Sequence, residues 1–151
     1  MLNLSLANDL VDAALKHARA SKFLPVAVVV LDPGGSVLVV KREDGASFLR
    51  PEVATGKAWG ALGMGMGSRS LAQRATTHPS FIAALGPLTD GRLVPVPGGV
   101  LVRDAAKNIL GAVGISGETS DNDEACAIAG IEAVGLSADP GVSPDIPAPK
   151  R

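Results

Sequence analysis

Two histidines are the chain's main candidates for proton or metal chemistry, His17 and His78. At about 100° per residue, His17 falls between Leu6 and Leu10 on the apolar half of a helix over residues 5–20, near that half's edge. A neutral imidazole on such a face can ligate a metal, including the iron of a porphyrin. The same placement also suits a helix-edge histidine with an ordinary hydrogen bond, and spacing alone favours that plainer role. His78, in Thr76-Thr77-His78-Pro79, is a general base, a second ligand or the cap of a short helix. Capping is the commoner use of such a residue.

Other groups are weaker signals. Arg42, Lys57 and Arg103 flank expected sheet or helix ends, where a guanidinium or ammonium can pair with a ligand carboxylate or serve as ordinary surface charge. Glu118, Asp121, Asp123 and Glu124 fit no calcium-loop spacing, and acids in a helix's first turn are favoured by its dipole anyway. Gly63, Gly65 and Gly67 lack both the preceding strand and the spacing of a dinucleotide loop. Gly111, Gly114 and Gly117 recur in or just after an expected strand, so something approaches that backbone closely. A flat ligand and a tightly packed helix are equal candidates. Cys126 lies among alanines and reads as inert packing.

These groups must be positioned by elements the pattern makes plain. The helix over 5–20 has Ser5 as cap and Asp9 in its first turn. Strands over 26–31 and 36–41 flank the Asp32-Pro33-Gly34-Gly35 turn and form a hairpin. Residues 42–47 are a loop, and Pro51 opens a helix through Val53, Lys57 and Trp59 that fades at Gly63. A shorter helix covers 68–76, and another turn or two runs from His78 to Leu85. Strands are expected over 92–96, 100–103 and 109–116, then a helix from Thr119 or Ser120 through Val134. Four prolines after Ser137 argue for a tail over 137–151 behind a single domain over 1–136. The expected class is α+β, an antiparallel sheet with helices against it, in the order α-β-β-α-α-β-β-β-α. The repeated Pro-Gly-Gly reports two similar turns more than an internal duplication.

Composition narrows the function. With 151 residues, 14 Lys plus Arg, 15 Asp plus Glu, one Trp, no Tyr and three Phe, the chain has neither the charge nor the stacking surface for nucleic acid. No apolar run approaches the ~18 residues of a membrane span, so no membrane partner is expected. Yet 46% of residues are hydrophobic, only 19% are charged and mean hydropathy is +0.28. A domain this small cannot hide so much apolar surface in its own core, which predicts a homo-oligomer. A single cysteine and no secretory pattern at the first residues point to a cytoplasmic location.

Taken in order, these segments resemble the GlcG/HbpS-like family, which includes the C-terminal domain of PduO-type proteins. The residues that carry the likeness are Ala13-Ala14-Leu15-Lys16-His17-Ala18-Arg19, Pro25-Val26-Ala27-Val28-Val29-Val30, Asp32-Pro33-Gly34-Gly35 and Lys41-Arg42-Glu43-Asp44-Gly45-Ala46. Gly56-Lys57-Ala58-Trp59, Pro97-Gly98-Gly99-Val100-Leu101-Val102 and Gly111-Ala112-Val113-Gly114-Ile115-Ser116-Gly117 complete it, so that it spans roughly residues 4–136. The resemblance implies a profilin-like five-stranded antiparallel sheet, a dimer as building block with octamers in some members, and haem binding, expected as haem b. In some members it also implies a haem-degrading or redox role. It makes His17 the iron ligand. A haem-binding reading then expects Phe48, Trp59 and Met66 as apolar walls and Lys57, Arg42 or Arg103 meeting the propionates. Gly114 would let the ring approach. The segment 69–92, with His78 and Phe81, is longer than the family's usual connection.

Two other readings remain. One is an enzyme acting on a small carboxylate or oxo-acid, an isomerase, lyase or tautomerase, with Arg42 or Lys57 gripping the anion and His78 or Glu52 moving a proton. The other is a ligand-free structural or regulatory oligomer.

Overall fold

The computed structural model describes residues 1–142. Its elements are α1 (Leu4–Ala20), β1 (Ala27–Leu31), β2 (Val37–Arg42), α2 (Arg50–Met64), α3 (Ser68–Thr77), α4 (Pro79–Leu88), β3 (Gly99–Arg103), β4 (Ile109–Ser116), α5 (Ser120–Ala133) and β5 (Ser137–Asp139). One antiparallel five-stranded sheet, ordered β2-β1-β4-β3-β5, separates two helical layers. The α+β class with helices against an antiparallel sheet is what the sequence predicts.

Strand β1 explains the layering. Its five residues, Ala-Val-Val-Val-Leu, are all fully buried, as a strand covered on both faces must be. Successive side chains alternate across the sheet. Val28 and Val30 join Leu10, Val11, Ala14, Cys126 and Ile131 in the core beneath α1 and α5. Val29 and Leu31 meet Ala54, Ala58 and Ala61 of α2 on the opposite face. The alanines bring α2 close, and glycines of β3 and β4 bring it closer. A Cβ on Gly114 would lie 1.9 Å from the Ala54 carbonyl oxygen, and one on Gly99 would lie 2.2 Å from that of Lys57. Helix packing therefore accounts for Gly114, and the expectation that a ligand ring approaches the strand there is corrected.

Four further expectations change. Helix α1 is capped by Asn3, whose side-chain oxygen accepts from the Leu6 N–H at 2.9 Å, not by Ser5. Residues 92–96 form no strand. They cross α2 as irregular chain, with the Val94 N–H donating to the Gly56 carbonyl at 3.2 Å and Leu93 seated over Gly60. The fifth strand is instead β5, inside the stretch expected as tail, paired with β3 and fastened by an Asp139–Arg103 ion pair of 2.9 Å. Ser-Ala-Asp has little strand preference of its own, so its pairing comes from the unpaired edge of β3. Between β2 and β3 lie three full helices where the expected order has two. α4 extends through Leu88 with Pro87 in its last turn.

Cys126 is fully buried in the α1/α5 core, and burial pushes its thiol up to about 12. The thiolate is the reactive form. Native protein is therefore expected to leave Cys126 unmodified by Ellman's reagent at pH 8 over hours, whereas denatured protein releases one equivalent within minutes.

Candidate functional site

His17 lies in the last turn of α1, half-buried, with its ring edge-on to Phe23 at 6.3 Å between centroids and 68° between planes. Ala13 and Ala20 lie one turn to either side on the same face of α1, the first half-buried and the second exposed. Among the described residues no side-chain hydrogen bond engages either ring nitrogen.

The other expected site residues lie elsewhere. Trp59, on α2 across the sheet, is half-buried with the Arg92 guanidinium 4.3 Å above its ring. Met66 packs at the margin of a small core of Leu71, Ile82 and Leu85. Phe48 precedes α2 and is 79% exposed. Arg42, at the end of β2, donates to the Ala46 carbonyl at 2.6 Å. It lines a cavity of about 440 Å³ with Arg19, Pro25, Glu43 and Asp44. Arg19 points almost opposite to His17 on the α1 wheel, so this cavity does not adjoin the imidazole. Arg103 is committed to Asp139 and to the Lys107 carbonyl.

Lys57 is the largest departure from expectation. It is 2% exposed, and its ammonium donates to the Asp123 carboxylate at 3.0 Å and to the Ile115 carbonyl at 2.9 Å. Asp123 in turn accepts from the Glu118 N–H at 3.0 Å. Burial pushes Lys57 down and Asp123 up, and the attraction between the two opposes both shifts. The pair ties α2 to α5 and leaves Lys57 no access to a propionate or to a substrate anion. Asp123 was legible only as one of four acids at a helix start. Nothing local marks it as the buried one.

The residues of the carboxylate-enzyme reading are likewise dispersed. His78 is exposed between α3 and α4, its Nδ1 2.9 Å from the Thr77 hydroxyl, in the capping position. Glu52 lies at the first turn of α2 on the rim of a different cavity. Of the two cations that reading offers, Lys57 is taken up by Asp123 and the Ile115 carbonyl, which leaves Arg42 as its anion-binding group.

Known proteins sharing this architecture narrow the reading. A family model described as haem degrading protein HbpS-like matches residues 2–132. The chain belongs to the HbpS-like family. Its structure is similar to that of a PduOC–haem complex, with a TM-score of 0.79 at 26% identity, over 88% of this chain and 94% of that one. HbpS is comparably similar, with a TM-score of 0.77 at 29% identity over 89% and 91%. The Klebsiella pneumoniae protein ORFY gives 0.79 at 26% over 87% and 89%. In sequence, a Citrobacter freundii protein of 15.0 kDa from the dhaT-dhaS intergenic region is 28% identical over 104 residues, 69% of this chain and 72% of that relative. As in the HbpS-like neighbours, the sheet and its flanking helices are the common frame. No helix of the described residues is long and apolar enough to cross a membrane.

Proposed function

We propose that this HbpS-like protein binds haem, with His17 as the axial ligand to iron and haem b as the natural form. The observation that carries the proposal is the His17 imidazole itself. Half-buried and edge-on to Phe23, with no side-chain hydrogen bond on either ring nitrogen among the described residues, it offers the donor that one face of a porphyrin needs. Membership of a haem-associated family and the similarity to a haem-bound neighbour support it.

One chain supplies one wall only. The expected walls Phe48, Trp59 and Met66 and the expected cations stand apart from His17, so a second copy of the chain has to close the slot. The exposed apolar residues Leu4, Leu24, Val37, Val40, Phe48 and Leu88 support such assembly. When bound, haem would bring redox chemistry at its iron. The chain's own share is to hold the ring, present one nitrogen and exclude water from that face. Degradation of haem or redox signalling would each be a further step on the same site.

Hemin titration of the purified protein tests this. The expected result is a saturable Soret shift, with affinity reduced at least about 100-fold in His17→Ala, since even outer-shell changes cost about 10–100-fold in metal affinity. An unchanged Soret band in His17→Ala would remove His17 as ligand, and no shift in the native protein would remove haem binding. Size-exclusion chromatography with and without hemin reads the second copy.

A further inference from the structure

Across the sheet from His17, α2 and the chain crossing it border an open, solvent-facing cavity of about 450 Å³, lined by Pro51, Glu52, Val53, Thr55, Arg92 and Val94, with Gly91 at its margin. That volume lies in the usual range for small-molecule pockets, about 300–1,000 Å³. Its walls are aliphatic, and two opposite charges face it. Arg92 is held in place from two sides. Its Nε donates to the Thr89 carbonyl at 2.9 Å, and its guanidinium plane rests on Trp59. This leaves the two terminal amino groups of the fork for a ligand. Glu52 and Arg92 share the cavity, yet no ion pair joins them to each other or to any other described residue. Thr55 is occupied, its hydroxyl donating to the Pro51 carbonyl at 2.7 Å.

A fixed guanidinium and an unpaired carboxylate around one apolar hollow suit a molecule that carries both complementary charges and an aliphatic body. We infer that this cavity binds a free α-amino acid with an aliphatic side chain. Arg92 takes the carboxylate as a two-pronged acceptor, Glu52 takes the ammonium, and the side chain lies against Pro51, Val53 and Val94. The charges on the protein are matched only by the zwitterion. A simple carboxylic acid leaves Glu52 facing an apolar group, and a simple amine leaves Arg92 unanswered. The site is independent of haem, because it lies on the other side of the sheet from His17.

Trp59 is the chain's single tryptophan and lies directly beneath Arg92, so it reports on the site by its own emission. Titration of haem-free protein with leucine is expected to change Trp59 emission saturably. It should also shift the amide resonances of Val53, Thr55, Gly91 and Val94, and leave those of α1 in place. Isovalerate and isoamylamine, each lacking one charge, are expected to bind at least about 3-fold more weakly, the scale of one exposed ion pair. Glu52→Gln, a change at an exposed position that spares the fold, should remove leucine's advantage over isovalerate. Arg92→Lys keeps the charge but loses the fork and should weaken leucine by about 10-fold, the scale of a charge-assisted hydrogen bond. Absence of saturable shifts at these four amides, equal binding of isovalerate and leucine, or a Glu52→Gln protein that still prefers leucine would each overturn the assignment.

Discussion

Replacing Asp123 by alanine is expected to cost about 3–5 kcal/mol of unfolding free energy, the scale for breaking a buried ion pair from one side. The Lys57 ammonium would remain inside the protein with only the Ile115 carbonyl as acceptor. The Glu118 N–H would lose its acceptor as well. Lys57→Met should cost a comparable amount, because it strands the carboxylate instead. The two losses should not add. In Lys57→Met/Asp123→Asn the amide still accepts from Glu118, no buried charge is left, and the methionine fills the volume of the lysine stem. Most of the stability should return. Urea unfolding of the wild type, Lys57→Met, Asp123→Asn and Lys57→Met/Asp123→Asn gives the coupling directly, and a value of at least about 2 kcal/mol is expected, near the upper part of the range for touching residues. Purely additive losses would mean that the pair contributes nothing as a pair. The test matters for function because this contact joins the layer that carries His17 to the layer that carries Trp59 and Arg92.

That contact also marks where sequence reading stopped. Periodicity placed α1, the β1–β2 hairpin, α2 and β4 nearly where they stand, because each carries its own apolar pattern and its own turn residues. The elements it misplaced have their conformation imposed from outside. Residues 92–96 contain Leu93, Val94 and Val96 and read locally as a strand, but the glycines of α2 at 56 and 60 draw them across a helix. Residues 137–139 have little β preference and pair because an edge of β3 is free. The site divided along the same line. His17's position on the α1 face follows from helical spacing, so it was readable. Lys57 reads locally as a cation free for a ligand, because its sequence neighbours do not show the sheet end that buries it or the acid 66 residues away that neutralises it. Arg92 carries no local signal, because its significance depends on Trp59 beneath it, which only folding supplies.

The glycine at 114 carries the second large effect. Gly114→Ala is expected to destabilise the protein by about 3 kcal/mol, the upper part of the range for overpacking a closed core. The added methyl would meet the Ala54 carbonyl oxygen at 1.9 Å and the Ala58 methyl carbon at 3.1 Å. A flexible side chain could turn aside, but a backbone carbonyl in the middle of a helix cannot move without its helix. α2 would have to lift away from β4 or slide along it, and either motion disturbs the Lys57–Asp123 contact one turn further along. Gly63→Ala is the matched control. It lies near the end of the same helix, a Cβ there meets nothing within 4 Å, and alanine has the better helix propensity. That substitution should be neutral or stabilise by up to about 1 kcal/mol. If the space over Gly114 instead belonged to a ligand, Gly114→Ala would keep the wild-type unfolding midpoint and lose only binding. Thermal unfolding without any ligand therefore separates the two: a markedly lowered midpoint assigns the glycine to helix packing, and an unchanged one returns it to the pocket.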